Sequence, residues 1–304
     1  MVILEITQFN EFNFMDPIYK IEKNELSSEL NSNINLEIRL LLEAIYSKYG
    51  YDFRNYGQAH IKRRILHRLS SSKLDNVSEL QHKIIYDKDY LKVILEDLSI
   101  TVTEMFRDPS FYIAIKKEII PILKTYPYFK IWHAGCATGQ EVYSMAILLM
   151  EEGIYDRAQI YATDFNQIAL QKAKDGIYPI ERIKEYTLNY QKSGGKNSFS
   201  DYYTAKYESV IIDKSLKKNI VFADHNLVTD GVFAEVNMII CRNVLIYFNK
   251  ELQDRVLKLF EDSLIAGGYL CLGSKESLRF AKNYKNFETI DDTEKLYKKK
   301  LILR

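Results

Sequence analysis

The chain has 304 residues, of which 47% are hydrophobic and 27% are charged, and its formal net charge is +1. A chain of this size can bury a substantial core, and so small a net charge gives no reason to expect nucleic acid or an anionic membrane as a partner. No apolar run approaches the roughly 20 residues of a membrane-spanning helix, and the N-terminus lacks the features of a signal peptide. The 3 cysteines have no metal-ligand spacing, so we expect a cytoplasmic protein without a metal site.

The first third of the chain has a helical pattern. Residues 1–35 show only weak periodicity, and we expect them to form a loosely held extension. In residues 36–98, apolar residues recur at helical spacing in segments separated by short polar or glycine-containing breaks. These segments are LEIRLLLEAIYSKYG, HIKRRILHRLSS, VSELQHKIIY and DYLKVILEDL. We therefore assign residues 36–104 to a small helical domain.

Residues 105–304 are predicted to form an α/β domain. The apolar segments KIWHAG, QIYATD, KNIVFAD, EVNMIICRN and GYLCLGS are typical of buried strands, and amphipathic segments alternate with them. One of the predicted helices is KELQDRVLKLFEDSLIAGG, ending at its glycines. Such alternation indicates a mostly parallel, Rossmann-like sheet covered on both faces. The alternation lapses after residue 178, and we expect a small inserted β subdomain at about residues 186–218.

A small-residue turn, GCATG, follows the first strand of this domain. Its spacing differs from the nicotinamide fingerprint, and the lysine of a phosphate-binding loop is missing. Glu141, in the first turn of the next helix, would repel a diphosphate, whereas S-adenosylmethionine has no phosphate and carries positive charge. The sequence leaves a second interpretation open, in which Gly135 and Gly139 only permit close helix packing.

Asp164 ends the second strand of the predicted sheet. An acid at this place can accept hydrogen bonds from both hydroxyls of a ribose. The alternative is that Asp164 caps the following helix. Together with the turn, the position of Asp164 favours a nucleoside cofactor.

Five stretches add to this signal: SITVTEMFRDPSFY (99–112), IWHAGCATGQEVYSMAILL (131–149), IYATDFNQIALQKA (160–173), FADHNLVTDGVF (222–233) and NMIICRNVLIYFNKELQ (237–253). Together they resemble the chemotaxis receptor glutamate methyltransferases of bacteria. The resemblance extends from about Leu36 to Tyr297. It implies a helical domain followed by a methyltransferase domain that transfers a methyl group from S-adenosylmethionine, leaving S-adenosylhomocysteine. The implied substrates are glutamate side chains of the cytoplasmic domain of methyl-accepting chemotaxis receptors.

The resemblance also implies site residues. Asp164 would hold the ribose, Asn226 the adenine side, and Glu141 the ammonium group of the methionine part. Two positions depart from the family pattern, because Thr101 stands where several relatives carry Asn and Gln140 where many carry Glu. The residues expected to line the cofactor are Thr101, Thr103, Arg107, Gly135, Glu141, Asp164, Asn226 and Leu227. The residues expected at the methyl-transfer centre are Arg107, Arg242 and Tyr247.

The reaction implied by the family requires few catalytic groups from the protein. A glutamate carboxylate is ionised at neutral pH, so it needs neither a general base nor a metal to act as nucleophile. Arg107 would neutralise and orient this carboxylate, and Tyr247 would donate a hydrogen bond near it. In the alternative interpretation, Arg107 pairs with Asp108 or a helix end, and Tyr247 is a core aromatic residue.

The helix HIKRRILHRLSS carries a run of basic residues. A glutamate-rich receptor helix would be attracted to such a surface, a solvated charged face is the usual explanation of such a run, and nucleic acid is a third interpretation. The residues proposed to bind the receptor are Lys62, Arg63, Arg64 and Arg68. We expect a monomer that neither binds nucleic acid nor inserts into a membrane.

The amino-acid sequence leaves several alternative functions open. A methyltransferase with another substrate ranks low, since CRNVLIYF lacks the paired prolines of many base-modifying enzymes. A non-catalytic sensor or scaffold that binds S-adenosylmethionine or S-adenosylhomocysteine is the main competitor. A Gly-containing turn in the insert, SGGKNS, is not enough to predict that the insert binds a receptor peptide.

Overall fold

The computed structural model describes residues 17–99 and 103–301 and divides into two compact units, one on each side of the Ser99–Ile100 bond. The first unit is helical, as the sequence predicts. Its buried core includes the apolar face of the basic helix, formed by Ile61, Ile65 and Leu69. The helices are α1 (Pro17–Tyr49), α2 (Gln58–Ser72), α3 (Val77–Tyr86) and α4 (Lys88–Leu98). In the described part of the chain, no helix is long and apolar enough to cross a membrane.

Helix α1 is longer than the apolar pattern predicts. It begins at Pro17, so it includes residues 17–35, which we expected to be a loosely held extension. This stretch contains no Gly or Pro after Pro17, and nothing in it breaks a helix even though it lacks an apolar stripe. The remainder of the expected extension, residues 1–16, lies outside the described residues.

The second unit contains the predicted α/β domain. Its first part holds α5 (Pro109–Ala114), a π-helical turn (Ile115–Ile119), α6 (Ile120–Leu123), β1 (Phe129–Ala134), α7 (Gln140–Glu151), β2 (Ala158–Asp164) and α8 (Gln167–Asp175). Its middle part holds β3 (Ile177–Pro179), α9 (Ile183–Lys192), β4 (Tyr203–Lys206) and β5 (Ser209–Ile212). Its last part holds β6 (Ile220–Asp224), β7 (Val236–Cys241), α10 (Lys250–Ser263), β8 (Leu264–Leu272), β9 (Phe287–Asp291) and β10 (Leu296–Lys299).

The main sheet has the strand order β6-β2-β1-β7-β8-β10-β9. Strands β6, β2, β1, β7 and β8 are parallel, and β10 runs antiparallel to both of its neighbours. The predicted mostly parallel sheet is therefore confirmed. Strand β1 lies between β2 and β7, where the strand order reverses, and ligands of open α/β sheets bind at the carboxyl ends of the strands near such a point.

The inserted segment forms a small antiparallel sheet of order β3-β5-β4 together with α9. It begins at Ile177, before the expected boundary near residue 186, and it includes a helix that the polar sequence concealed. The apolar signal for this helix is sparse, because only Ile183, Tyr186 and Tyr190 recur at helical spacing and pack on the core.

The end of α10 differs from the prediction. The helix stops at Ser263, and the glycines that we expected to terminate it, Gly267 and Gly268, lie inside β8. The register of β8 against β7 shifts between Val236 and Met238, opposite this glycine pair. Glycines inside a strand commonly mark such an irregularity, which the helical period of the preceding residues does not reveal.

Candidate functional site

The turn after β1 is held against the end of β2. The backbone N–H groups of Gly135 and Cys136 both donate to the Thr163 carbonyl, at 2.8 and 2.9 Å. Gly135 and Gly139 have φ angles of +77° and +89°, which residues with a side chain rarely adopt. The close-packing interpretation also holds for Gly139, because an added Cβ would lie 2.8 Å from the Ala173 Cβ of α8. A Cβ added to Gly135 would lie 2.7 Å from Val244 Cγ2, so close packing requires both glycines whether or not the turn binds a ligand.

Asp164 lies at the end of β2 and is buried. Its Oδ2 accepts a hydrogen bond from Ala137 N at 2.9 Å, and its Oδ1 accepts one from Asn166 N at 2.9 Å. Burial raises the pKa of Asp164 above its ordinary value, while these backbone hydrogen bonds act in the opposite direction. Each carboxylate oxygen retains a further acceptor site, so the group can still bind ligand hydroxyls.

The helix after β2 is capped by a different residue. Asn166 Oδ1 accepts hydrogen bonds from Ile168 N at 2.9 Å and Ala169 N at 3.1 Å. The interpretation of Asp164 as the cap of this helix is therefore wrong. Asp164 instead fastens the β1 turn to the β2 turn.

Glu141, in the first turn of α7, has both carboxylate oxygens engaged. Oε1 lies 3.3 Å from His133 Nδ1, and Oε2 accepts a hydrogen bond from Arg242 Nη1 at 2.9 Å. Burial alone would raise the pKa of Glu141, but the hydrogen bond with His133 and the nearby Arg242 guanidinium leave that pKa below its ordinary value. The carboxylate is therefore ionised and fixed in position at neutral pH.

Arg242 follows β7 directly and is the most buried cation of the site, with 2% of its side chain exposed. Besides Glu141, it pairs with Asp108, whose Oδ2 lies 2.6 Å from Arg242 Nη2. The guanidinium also stacks over the Phe111 ring at 4.1 Å from the ring centre. Arg242 thus joins the start of α7 to the loop that carries Arg107.

The loop before α5 contains Thr103 and Arg107, both partly buried. Phe106 N donates to Ser144 Oγ of α7 at 2.9 Å, and the Phe106 ring packs on Tyr190 of α9 at a centroid distance of 5.2 Å. The loop is therefore held by helix α7, which follows β1, and by helix α9 of the inserted segment. Thr101, which we expected to line the cofactor, lies outside the described residues.

Asn226 and Leu227 lie in the turn after β6, beside β2. Asn226 Oδ1 accepts a hydrogen bond from Val228 N at 3.0 Å, and Asn226 N donates to Asp230 Oδ2 at 2.9 Å. Leu227 is buried. Since Asp164 is paired in register with Asp224 at the end of β6, this turn is brought close to the acid of β2.

Tyr247 lies in the short 3₁₀ turn Leu245–Tyr247 after Arg242 and is partly buried. The backbone of this turn is held by Glu276, a residue that the sequence analysis missed. Glu276 is an isolated acid in the polar stretch after β8, and no motif or spacing marks it. The contact of Glu276 with this turn arises only because β7 and β8 lie side by side in the fold.

The basic residues of α2 have different surroundings. Arg68 pairs with Asp97 of α4, and Arg64 donates to the backbone carbonyls of Asp97 and Ser99. Lys62 donates to the side chains of Asn31 and Asn35 of α1, at 3.1 and 2.9 Å. These contacts tie α2 to its neighbours within the helical unit.

Arg63 is the exposed member of this basic run. It therefore offers the clearest test of whether the run contacts a partner, because its substitution disturbs the packing of the helices least.

Family models for CheR methyltransferases match both units. The model described as "CheR methyltransferase, all-alpha domain" matches residues 36–99, and the model described as "CheR methyltransferase, SAM binding domain" matches residues 101–296. A Pseudomonas putida protein named "Putative methyltransferase Cher3" is 52% identical over 274 residues, which cover 90% of this chain and 100% of that protein. The "Chemotaxis protein methyltransferase" of Listeria innocua is 30% identical over 77% of this chain and 87% of that protein. A protein of the same name from Borreliella burgdorferi is 26% identical over 86% of this chain and 95% of its own length.

Proposed function

Because the chain belongs to the CheR methyltransferase family, we propose that it methylates glutamate side chains on the cytoplasmic helices of a methyl-accepting chemotaxis receptor. The methyl donor is S-adenosylmethionine. The observation that carries the proposal is the placement of Glu141, Asp164 and Asn226 after β1, β2 and β6, neighbouring strands whose carboxyl ends meet at one edge of the sheet. Two relatives named as chemotaxis protein methyltransferases support the receptor as substrate.

The residues at this edge fit the parts of the cofactor. Asp164 would accept hydrogen bonds from the ribose hydroxyls, since its oxygens are fixed by backbone N–H groups and retain acceptor capacity. Glu141 would attract the ammonium group, because its depressed pKa keeps it ionised. Asn226 and Leu227 would flank the adenine. The bound cofactor supplies a methyl group on an electron-deficient sulfonium.

The protein then has to place the receptor carboxylate and exclude water. An ionised glutamate is already nucleophilic at neutral pH, and orientation alone can contribute about 7–11 kcal/mol in favourable cases. Arg107 would bind and orient the carboxylate, and Tyr247 would donate a hydrogen bond to it. Arg242 is enclosed by Glu141 and Asp108, so we assign it a positioning role, although the resemblance placed it at the transfer centre.

Replacing Arg107 with alanine separates substrate orientation from cofactor binding. We expect the rate of methyl transfer to a receptor fragment to fall by roughly 100-fold or more, because a positioned cation is lost from the transition state. The affinity for S-adenosylhomocysteine, measured by calorimetry, should change less than about tenfold, by the same reasoning. Arg107→Lys is the matched control and should recover part of the rate. Equal losses of rate and product affinity would mean that Arg107 serves only the cofactor.

The basic run of α2, with Arg63 as its exposed member, is proposed to guide the receptor helix. Arg63→Glu should raise the KM for a receptor fragment severalfold at low salt and leave the affinity for S-adenosylhomocysteine unchanged, because a surface charge acts on encounter with an acidic partner. Lys88→Glu is the matched control, since Lys88 is exposed at the start of α4 and its reversal changes the net charge equally. An unchanged KM for Arg63→Glu would remove this surface from the proposal.

A further inference from the structure

Glu276 is a buried carboxylate, with 4% of its surface exposed, in the segment after β8. Its Oε1 accepts hydrogen bonds from Val244 N at 2.9 Å and from Ile246 N at 3.3 Å. Its Oε2 accepts hydrogen bonds from Asn243 N at 3.1 Å and from Gly273 N at 2.6 Å. The carboxylate therefore binds backbone N–H groups along the turn that joins Arg242 to Tyr247.

The backbone lies so close to this carboxylate that no side chain would fit at Gly273. A Cβ added to Gly273 would lie 2.8 Å from Glu276 Oε2 and 2.9 Å from Asn243 N. Asn243 itself has a φ angle of +61°, in the left-handed region that asparagine adopts more readily than most residues with side chains. The turn therefore contains a left-handed residue, and the Glu276 carboxylate accepts the hydrogen bonds of its backbone N–H groups.

A second residue holds the same turn from the opposite direction. Gln253 of α10 donates from Nε2 to the carbonyls of Leu245 at 2.9 Å and Phe248 at 3.1 Å. Glu276 therefore binds the N–H groups of the turn, and Gln253 binds its carbonyl groups. Tyr247 lies between Leu245 and Phe248, so both anchors act on the backbone that places its phenol.

We propose that Glu276 is a positioning residue for methyl transfer: its carboxylate holds the turn 243–247 and thereby fixes Tyr247 beside the cofactor edge of the sheet. The proposal deepens the proposed function and rests on it for its catalytic part. The anchoring itself is independent of the substrate. Burying a carboxylate is costly in free energy unless hydrogen bonds compensate the lost hydration. Here the carboxylate accepts hydrogen bonds from several N–H groups at once and so holds the turn rigidly.

The substitution Glu276→Gln tests the proposal. The amide keeps one acceptor oxygen, but its NH₂ group would face backbone N–H donors, so part of the turn must rearrange. We expect kcat, expressed per S-adenosylhomocysteine-binding site, to fall at least about tenfold while the affinity for S-adenosylhomocysteine stays within about threefold, because only the turn that bears Tyr247 is disturbed. A merely structural role would reduce the number of folded molecules and leave kcat per binding site unchanged.

Hydrogen exchange provides a readout that does not depend on the substrate. The amides of Asn243, Val244 and Ile246 should exchange at least about tenfold faster in Glu276→Gln than in the unmodified protein, because one of the two oxygens that accept their hydrogen bonds is replaced by an NH₂ group. If Glu276→Gln does not fold, Gln253→Ala takes its place, with the same fall in kcat expected through the carbonyl side of the turn. Unchanged exchange, or unchanged kcat per site with faster exchange, would overturn the proposal. Absence of methyl transfer by the unmodified protein would refute the proposed function and with it the catalytic part, while the exchange result would still decide the anchoring.

Discussion

Replacing Arg242 with methionine is expected to lower the free energy of unfolding by about 3–5 kcal/mol, as found for breaking buried ion pairs. The side chain of Arg242 is 2% exposed, and it pairs with Glu141 at 2.9 Å and Asp108 at 2.6 Å. Methionine fills a similar volume, but it leaves the carboxylate of Glu141, whose side chain is 18% exposed, without its cation and with His133 as its remaining hydrogen-bond partner in the described structure. The loss therefore comes from an uncompensated charge more than from an empty space.

Chemical denaturation at neutral pH measures this effect. The double variant Glu141→Gln/Arg242→Met is the matched control, because it also removes the negative charge of Glu141, which the single variant leaves without its cation. We expect the double variant to be more stable than Arg242→Met alone, by a difference that reports the cost of keeping the Glu141 carboxylate without its cation. Equal stabilities would show that loss of Arg242 leaves no costly charge at Glu141, and Arg242 would return to consideration as a residue that meets the substrate.

Replacing Asp164 with asparagine is expected to weaken binding of S-adenosylhomocysteine by roughly 100-fold. Hydrogen bonds to a charged group contribute about 1.5–3 kcal/mol each, and the proposed site uses this carboxylate for the ribose hydroxyls. Asparagine keeps the shape of the side chain, yet its amide group must face either the ligand or one of the N–H donors, Ala137 N or Asn166 N. Isothermal calorimetry with S-adenosylhomocysteine measures the change directly.

The control for Asp164→Asn is a carboxylate outside the proposed site. Asp175 lies at the exposed end of α8, where it accepts a hydrogen bond from Gln171 at 2.8 Å, so Asp175→Asn removes the same charge. This control should bind the ligand as the unmodified protein does. If Asp164→Asn also retained full affinity while folding normally, the ribose would have to bind elsewhere.

The sequence predicts those parts of the fold whose signal is local. Strands β1, β2 and β7 are short apolar runs, and their alternation with amphipathic helices indicates the parallel sheet. Asp164 was recognisable because it ends such a run. Helix α9 was missed because the apolar face of this helix is limited to Ile183, Tyr186 and Tyr190 among mostly polar neighbours.

The parts that the sequence could not predict depend on contacts between distant residues. Arg242 meets Glu141 across 101 positions and Asp108 across 134, so no local pattern reveals that it is enclosed. Glu276 reaches the turn at Val244 across 32 positions. The family resemblance placed Arg242 at the transfer centre, and its ion pairs with Glu141 and Asp108, which the sequence does not reveal, are the basis for proposing a positioning role instead.

The central claim is tested most directly by transfer of labelled methyl groups from S-adenosylmethionine to a receptor cytoplasmic fragment from the same cell. Glutamate methyl esters release methanol in base, whereas N-methyl and C-methyl groups do not. The account predicts volatile, base-released label that falls sharply with Asp164→Asn and with Arg107→Ala. Base-stable label would contradict carboxylate methylation, and an absence of label in a protein that binds the cofactor would point to a non-catalytic sensor or scaffold.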